Sequence, residues 1–429
     1  MVLIGAPHFI VLSKPHEMET RKIVLAYSGG LDTSVAIPWL REKGYEVIAL
    51  TMNLGQPIDL EAVRAKALAA GAERAYVVDA REQFANEFIA PALAANALYE
   101  GQYPLSTALA RPLIGWHLVD VARREGASHV AHGCTGKGND QVRFDLCTAG
   151  LAPDLEVIAP ARVWKMTREE EVEYAHSHHV AVPTAQRSPY STDENLWGRS
   201  VECGVLEDPA IEPPEEVYAW TRSPLEASDR PTYVKIGFEG GRPQTLGSEA
   251  LSLRELVERL NRIGGENGVG RIDHVESRLV GIKSREVYEC PAATILLGAH
   301  AALEALVLPR DLLETKRSLE QRYSLLIYDG LWFTPLREAL DAFVTSTQER
   351  VSGEVTVKLY KGSARIAGRT SPYSMYRQDL ATYSGGDRYR AEMAEGFIYV
   401  WGLPTRTWSS IGSKATVKSP LAAGTGIPH

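Results

Sequence analysis

The stretch "KIVLAYSGGLDTSVAIPWLREKG" (residues 22–44) decides the fold. "KIVLAY" is a short apolar run without polar interruption, the pattern of a strand buried on both faces. "TSVAIPWLREKG" reads as a helix stopped by glycine. Between them lies S-G-G-L-D-T-S. Glycines let backbone amides approach a ligand closely, and a helix N-terminus offers unpartnered N–H groups with a partial positive charge. Ser28, Thr33 and Ser34 add hydroxyls. Asp32 serves either as a magnesium ligand or as a helix cap. No lysine closes the turn as in a P-loop, and G-x-G-x-x-G is absent. A lone S-G-G reads equally as a capped turn and as a phosphate cradle. The acid and hydroxyls at fixed offsets after a strand tilt it toward phosphate.

Outward from this stretch the alternation continues. "YEVIALTMN" (45–53) is a strand, "LEAVRAKALAAGA" (60–72) an amphipathic helix ended at Gly71, and "RAYVVDA" (74–80) a strand followed by a long helix from Arg81. "PLIGWHLVDVARREGA" (112–127) is a helix, "SHVAHG" (128–133) a strand, "NDQVRFDLCTAG" (139–150) a helix and "EVIAP" (156–160) a strand. Short apolar strands alternating with helices predict an α/β domain with a parallel sheet covered on both faces, over residues 21–185. After "SPYSTDENLWGRS" (188–200) the pattern changes, and residues 207–231, rich in proline and acid, read as a connection. "TYVKIGFEGGRPQTL" (232–246) and "GEVTVKLYKGSARIAGRT" (353–370) read as hairpins, and "LSLRELVERLNRIGGENG" (251–268) as a helix, so residues 186–402 form an α+β domain. Residues 1–20 are expected to be a flexible N-terminal extension rather than a signal peptide. Residues 403–429 form a tail with too much Gly, Ser and Pro to be helical throughout.

Of 429 residues, 45% are hydrophobic and 23% charged, the balance of a soluble globular chain. The net charge of −8 argues against a general nucleic-acid binder, and no apolar run approaches membrane-spanning length. The four cysteines, Cys134, Cys147, Cys203 and Cys290, include no C-x-x-C pair, which speaks against a zinc ribbon and for a reducing, cytoplasmic setting. His176, His178 and His179 have no partnering metal-ligand pattern and read as a solvated helix end.

A second motif, "AHGCTGKGNDQVRF" (131–144), ends a strand and opens a helix. Lys137 can neutralise phosphate as a point cation. Asp140 and Arg143 are neighbours along a helix face, an acid for an ammonium and an arginine for a carboxylate, so the face suits a zwitterionic amino acid. So many donors at a strand end favour a ligand site over a plain surface loop.

S-G-G-L-D-T-S resembles the pyrophosphate loop of the N-type ATP pyrophosphatases. The second motif resembles the H-G-A-T-G-K-G-N-D-Q-V-R-F segment of the argininosuccinate synthetase family, with Cys134 in place of alanine. "YEGQYPLSTALARPL" (99–113), "PYSTDENLWGRSVE" (189–202) and "GVGRIDHVESRLVGIKSREVYECP" (268–291) are similar to further segments of that family, in order and in both halves. The resemblance implies an adenine-nucleotide-α-hydrolase-like domain followed by a synthetase domain.

It further implies that ATP is held by Ala26, Tyr27, Ser28, Gly29, Gly30, Leu31, Asp32, Thr33 and Ser34, with Met52 and Gly133. Aspartate falls to Thr135, Asn139 and Asp140, and citrulline to Tyr103, Asn139, Arg143, Ser191, Ser200, Glu276 and Tyr288. Asp32, Lys137 and Asp140 are the expected catalytic residues, with Asp32 aiding Mg2+. The implied reaction adenylates the ureido oxygen of citrulline with release of diphosphate, then lets the aspartate amine expel AMP. No general base for that amine is legible. The implied partners are small molecules, with no nucleic acid or membrane, and the implied assembly is a homotetramer. Thr107-Ala108 stands where the family often has T-S, and "ESR" (276–278) and "SRE" (284–286) differ from the common E-N-R and S-R-G. Two alternatives stay open: the same chemistry on another ureido acceptor, and a non-catalytic nucleotide or amino-acid sensor.

Overall fold

The computed structural model describes residues 21–164, 166–181, 188–384 and 386–411. The extension at 1–20 and most of the tail, 412–429, lie outside the described residues. Strands β1 (Arg21–Ala26), β2 (Tyr45–Asn53), β3 (Arg74–Asp79), β4 (His129–His132) and β5 (Glu156–Ile158) form one sheet in the order β3-β2-β1-β4-β5, every pair parallel. The alternation in the sequence therefore gives the expected parallel α/β layer. Its unbroken apolar strands follow from burial on both faces. Val24, Ile48 and Leu50 pack toward Phe84, Phe88 and Leu113, while Ile23, Leu25, Val47 and Ala49 pack toward Val35, Ile37 and Leu40 of the helix Leu31–Glu42.

Strand order places the ligand edge. The chain runs from β1 outward to β3, then returns to lay β4 on the opposite side of β1. The carboxyl ends of β1 and β4, with Ala26 paired to His132, form the switch point where open α/β sheets bind ligands. The two motifs singled out in the sequence leave the sheet there, side by side. The long helix expected from Arg81 is instead a helical run over 81–94 whose middle, Phe84–Ile89, is a π-turn. Pro91, which has no N–H to return to the preceding turn, follows it at once.

Among the described residues nine further strands follow: β6 (Ser191–Asn195), β7 (Gly198–Glu202), β8 (Thr232–Glu239), β9 (Arg242–Leu246), β10 (Glu249–Ala250), β11 (Arg271–Ser277), β12 (Lys283–Glu289), β13 (Gly353–Tyr360) and β14 (Ser363–Thr370). They make two antiparallel sheets, β11-β12-β7-β6 and β10-β9-β8-β13-β14. Both expected hairpins are present, and Gly240 and Gly241 turn the first with positive φ. The helix Leu253–Glu266 starts with a capping box of Ser252 and Glu255, each side chain bonding the other's backbone N–H. Helices Pro291–Val307, Arg310–Tyr328 and Pro335–Gln348 complete the α+β part.

The chain divides into one compact unit through Ser374 and a second from Met375. In the second unit, helices Glu392–Trp401 and Leu403–Ile411 expose Phe397, Ile398, Trp401 and Trp408.

Candidate active site

The first loop is built to approach a ligand. Gly29 has φ +80°, its carbonyl accepts from Lys66 Nζ at 2.6 Å, and Val63 packs against it. Ser28 Oγ lies 3.1 Å from Thr33 Oγ1 and accepts from the Gly30 N–H at 3.2 Å. Gly30 is the residue before the helix, and no side chain caps it. Asp32 is thus not the cap of this helix. Tyr27 and Ser34 bond each other at 3.0 Å inside the core.

The second loop sits against the first. A Cβ on Gly133 would meet Thr33 Cγ2 at 2.7 Å, so only glycine fits between them. His132, buried beneath, accepts the Cys134 N–H on Nδ1 at 3.2 Å and gives Nε2–H to Asp145 at 3.0 Å, which fixes its tautomer. Gln141 ties down the Gly136 and Gly138 carbonyls.

Both loops open into one cavity of about 720 Å³, closed on the far side by the β11-β12-β7-β6 sheet. Of the expected site residues, Ala26, Tyr27, Ser28, Gly30, Leu31, Asp32, Thr33, Met52, Gly133, Thr135, Asn139 and Asp140 line it. Tyr103, Arg143, Ser191, Ser200, Glu276 and Tyr288 line it as well. Three do not line it. Gly29 is turned to Val63, Ser34 to Tyr27, and Lys137 stands exposed at the tip of the second loop.

Electrostatics follow from a crowded wall. Asp140 pairs with Arg143 and Arg111, each at 2.8 Å. Burial alone would raise this carboxyl, but the two guanidinium groups outweigh it and hold it at about 2. Arg111 also pairs with Asp193, and its Nε has no hydrogen-bond partner. Arg278 joins Glu202 and Glu286. Burial, then the charges of Glu276 and Glu202, push the Glu286 carboxyl up to about 8. Glu171, from the helix Arg168–Ser177, is buried against Asp32 and pushed up to about 7, first by burial and then by the Asp32 charge.

Arg111, Asp193, Glu202 and Glu171 had no signal in spacing, because each acts across elements far apart in sequence. Thr107 is in the wall, its Oγ1 3.4 Å from Ser200 Oγ and its N–H bonded to Tyr103 Oη at 2.9 Å, whereas Ala108 is fully buried and outside it. The hydroxyl that this turn gives to the cavity wall is therefore that of Thr107. His178, from the histidine cluster, stacks on Tyr174 and bonds Glu42. Among the described residues no group of three or more His, Cys, Asp or Glu side chains is placed to hold a metal ion.

A parallel sheet whose switch point carries a glycine-turned loop and an uncapped helix N-terminus defines a nucleotide-binding α/β enzyme, with a second sheet completing the pocket. The profile described as "Arginosuccinate synthase N-terminal HUP domain" matches residues 22–181, and that described as "Arginosuccinate synthase C-terminal domain" matches 190–408. An argininosuccinate synthase from Gloeobacter violaceus is 59% identical over 396 residues, covering 92% of this chain and 100% of that one. One from Rubrobacter xylanophilus is 57% identical over 391 residues, covering 91% and 96%. Among solved structures, a 4-thiouridine synthetase–RNA complex with bound ATP aligns at 18% identity over 37% of this chain and 41% of that one, with a TM-score of 0.28, too low for a structural argument. The chain belongs to the argininosuccinate synthase family.

Proposed function

We propose that the cavity joins citrulline and aspartate into argininosuccinate, splitting ATP into AMP and diphosphate. The observation that carries this reading is that both loops of the parallel sheet and the Glu276/Tyr288 face of the antiparallel sheet line one cavity. In this reading the first loop, with Met52 and Gly133, takes ATP, with its phosphates on the helix N-terminus. Thr135, Asn139 and Asp140 take aspartate. Tyr103, Asn139, Arg143, Ser191, Ser200, Glu276 and Tyr288 take citrulline, and the Thr107 hydroxyl joins them.

The ureido carbon is a poor electrophile because two nitrogens donate into it. Its oxygen attacks the α-phosphorus and diphosphate leaves, which turns that oxygen into part of an AMP leaving group. The aspartate amine then adds to the carbon, loses a proton, and AMP departs. The protein's contribution is alignment and charge stabilisation. Loop-one amides and hydroxyls receive the departing diphosphate, and Lys137, on a flexible four-carbon stem, serves it as a point charge from the loop tip.

Asp32 lines the cavity next to the loop that would take the phosphates, so its carboxylate fits Mg2+ held jointly by one carboxylate and nucleotide phosphates. Bound there, the ion would offset phosphate charge.

A homotetramer is supported by the apolar face of the helix Glu392–Trp401, where Phe397 and Trp401 are more than half exposed and suited to burial against a second copy. A cytoplasmic setting is supported by four unpaired cysteines, and no described helix is long and apolar enough to cross a membrane. The test is product analysis with one substrate omitted at a time. AMP and argininosuccinate are expected in equal amounts only with ATP, citrulline and aspartate together. Turnover with a different ureido acid and not with citrulline would favour the altered acceptor, and no AMP under any condition would favour a sensor.

A further inference from the structure

Tyr328 ends the helix Arg310–Tyr328, does not line the cavity, and is buried behind its wall. Its hydroxyl donates to Glu276 Oε1 at 2.8 Å and accepts from Asn139 Nδ2 at 2.8 Å. Its carbonyl accepts from Arg143 Nε at 2.9 Å. Its ring lies 4.9 Å from the Arg143 guanidinium and stacks on Tyr99 at 3.5 Å. One residue outside the cavity thus touches three of its polar side chains, two from the second loop and its helix and one from β11.

The donor and acceptor count fixes the orientations. The Leu279 N–H can only donate, and it points at Asn139 Oδ1 from 2.9 Å. The amide therefore turns its nitrogen to Tyr328, so the tyrosine accepts there and spends its one proton on Glu276. The other Glu276 oxygen accepts from Tyr288 at 2.8 Å. Both carboxylate oxygens are thereby pinned, and one Asn139 amide hydrogen remains for a ligand.

We propose that Tyr328 is a positioning residue for the ureido amino acid, its hydroxyl locking the Asn139 amide and the Glu276 carboxylate across the two halves of the site. This rests on the reading that Asn139, Arg143 and Glu276 hold citrulline. Without the hydroxyl, Glu276 keeps only its Tyr288 tether and Asn139 only its Leu279 tether, so both can rotate. ATP, on the first loop, touches neither.

Tyr328→Phe removes the hydroxyl alone and keeps the Tyr99 stack, the Arg143 contact and the backbone carbonyl. Tyr99→Phe is the matched control, since it keeps the same ring pair, loses a hydroxyl that donates to the Ser277 carbonyl, and leaves the Tyr328 bonds to Asn139 and Glu276 in place. Glu276→Gln tests the underlying reading. The expected result is a citrulline KM raised about tenfold in Tyr328→Phe, with the ATP KM within about twofold of the parent, and a citrulline KM within about twofold of the parent in Tyr99→Phe. A raised citrulline KM in Glu276→Gln with no change in Tyr328→Phe would overturn the positioning role and leave the reading standing. No change in either would overturn both. Equal loss in Tyr328→Phe and Tyr99→Phe, or an ATP KM that rises in step, would mean general loosening and overturn the proposal.

Discussion

Gly133→Ala tests the packing of the two loops, on which the ATP half of the site depends. The added Cβ would sit 2.7 Å from Thr33 Cγ2 and 3.5 Å from the Thr33 nitrogen. Carbon atoms pack at about 3.5–4.0 Å, so the loops must separate by roughly 1 Å. Thr33 cannot readily swing away. It is β-branched and buried, and its hydroxyl is engaged by Ser28 Oγ and the Gly30 carbonyl. Overpacking of this kind costs about 1–3 kcal/mol of stability. A misplacement of about 1 Å at a reacting centre costs on the order of 100-fold in rate. Diphosphate release at saturating citrulline and aspartate should therefore fall about 100-fold in kcat/KM for ATP, with a folded protein of modestly lower Tm. Gly136→Ala, in the same loop but with nothing within 4 Å of the new Cβ, should stay near the parent. Gly133→Ala within threefold of the parent would refute the argument that the two loops must touch.

Asp32→Ala should keep the fold, since Asp32 caps nothing and its removal relieves Glu171, while diphosphate release falls at least about 100-fold; near-normal turnover would remove Asp32 from the phosphate site. Arg143→Lys keeps the charge but loses the two-point hold on Asp140 and the Tyr328 carbonyl, so the citrulline KM should rise about 10- to 100-fold with the ATP KM unchanged; a parallel rise for ATP would count against a carboxylate clamp. Glu286 has its carboxyl raised to about 8, so between the usual carboxylate range near about 4.3 and about 8 the folded protein binds more protons than the unfolded chain, and stability falls as pH rises. The slope of Tm against pH over that window should be shallower in Glu286→Gln, and an unchanged slope would place the titration elsewhere.

The two loops proposed to hold ATP were legible because their signals are local. A strand, a glycine turn and a helix start lie within one stretch, and the loop after β4 repeats the arrangement. The residues proposed to hold citrulline were reached only through family likeness. Glu276 and Tyr288 sit on the β11–β12 hairpin and Ser200 on β7, far earlier in the chain, and the buried face of β11 carries His274 and Glu276 rather than an apolar alternation. The spacing of Lys137 did not show that it stands at an exposed loop tip outside the cavity wall. Tyr328 had no signal, because a tyrosine at a helix end gains meaning only from Asn139 and Glu276, 189 and 52 residues away.

In the proposed mechanism the ureido oxygen of citrulline becomes an oxygen of AMP. Turnover with citrulline labelled with oxygen-18 at the ureido position, followed by mass analysis of products, tests it directly. One heavy oxygen is expected in each AMP and none in diphosphate or argininosuccinate. Unlabelled AMP, or label released as water or in diphosphate, would contradict it.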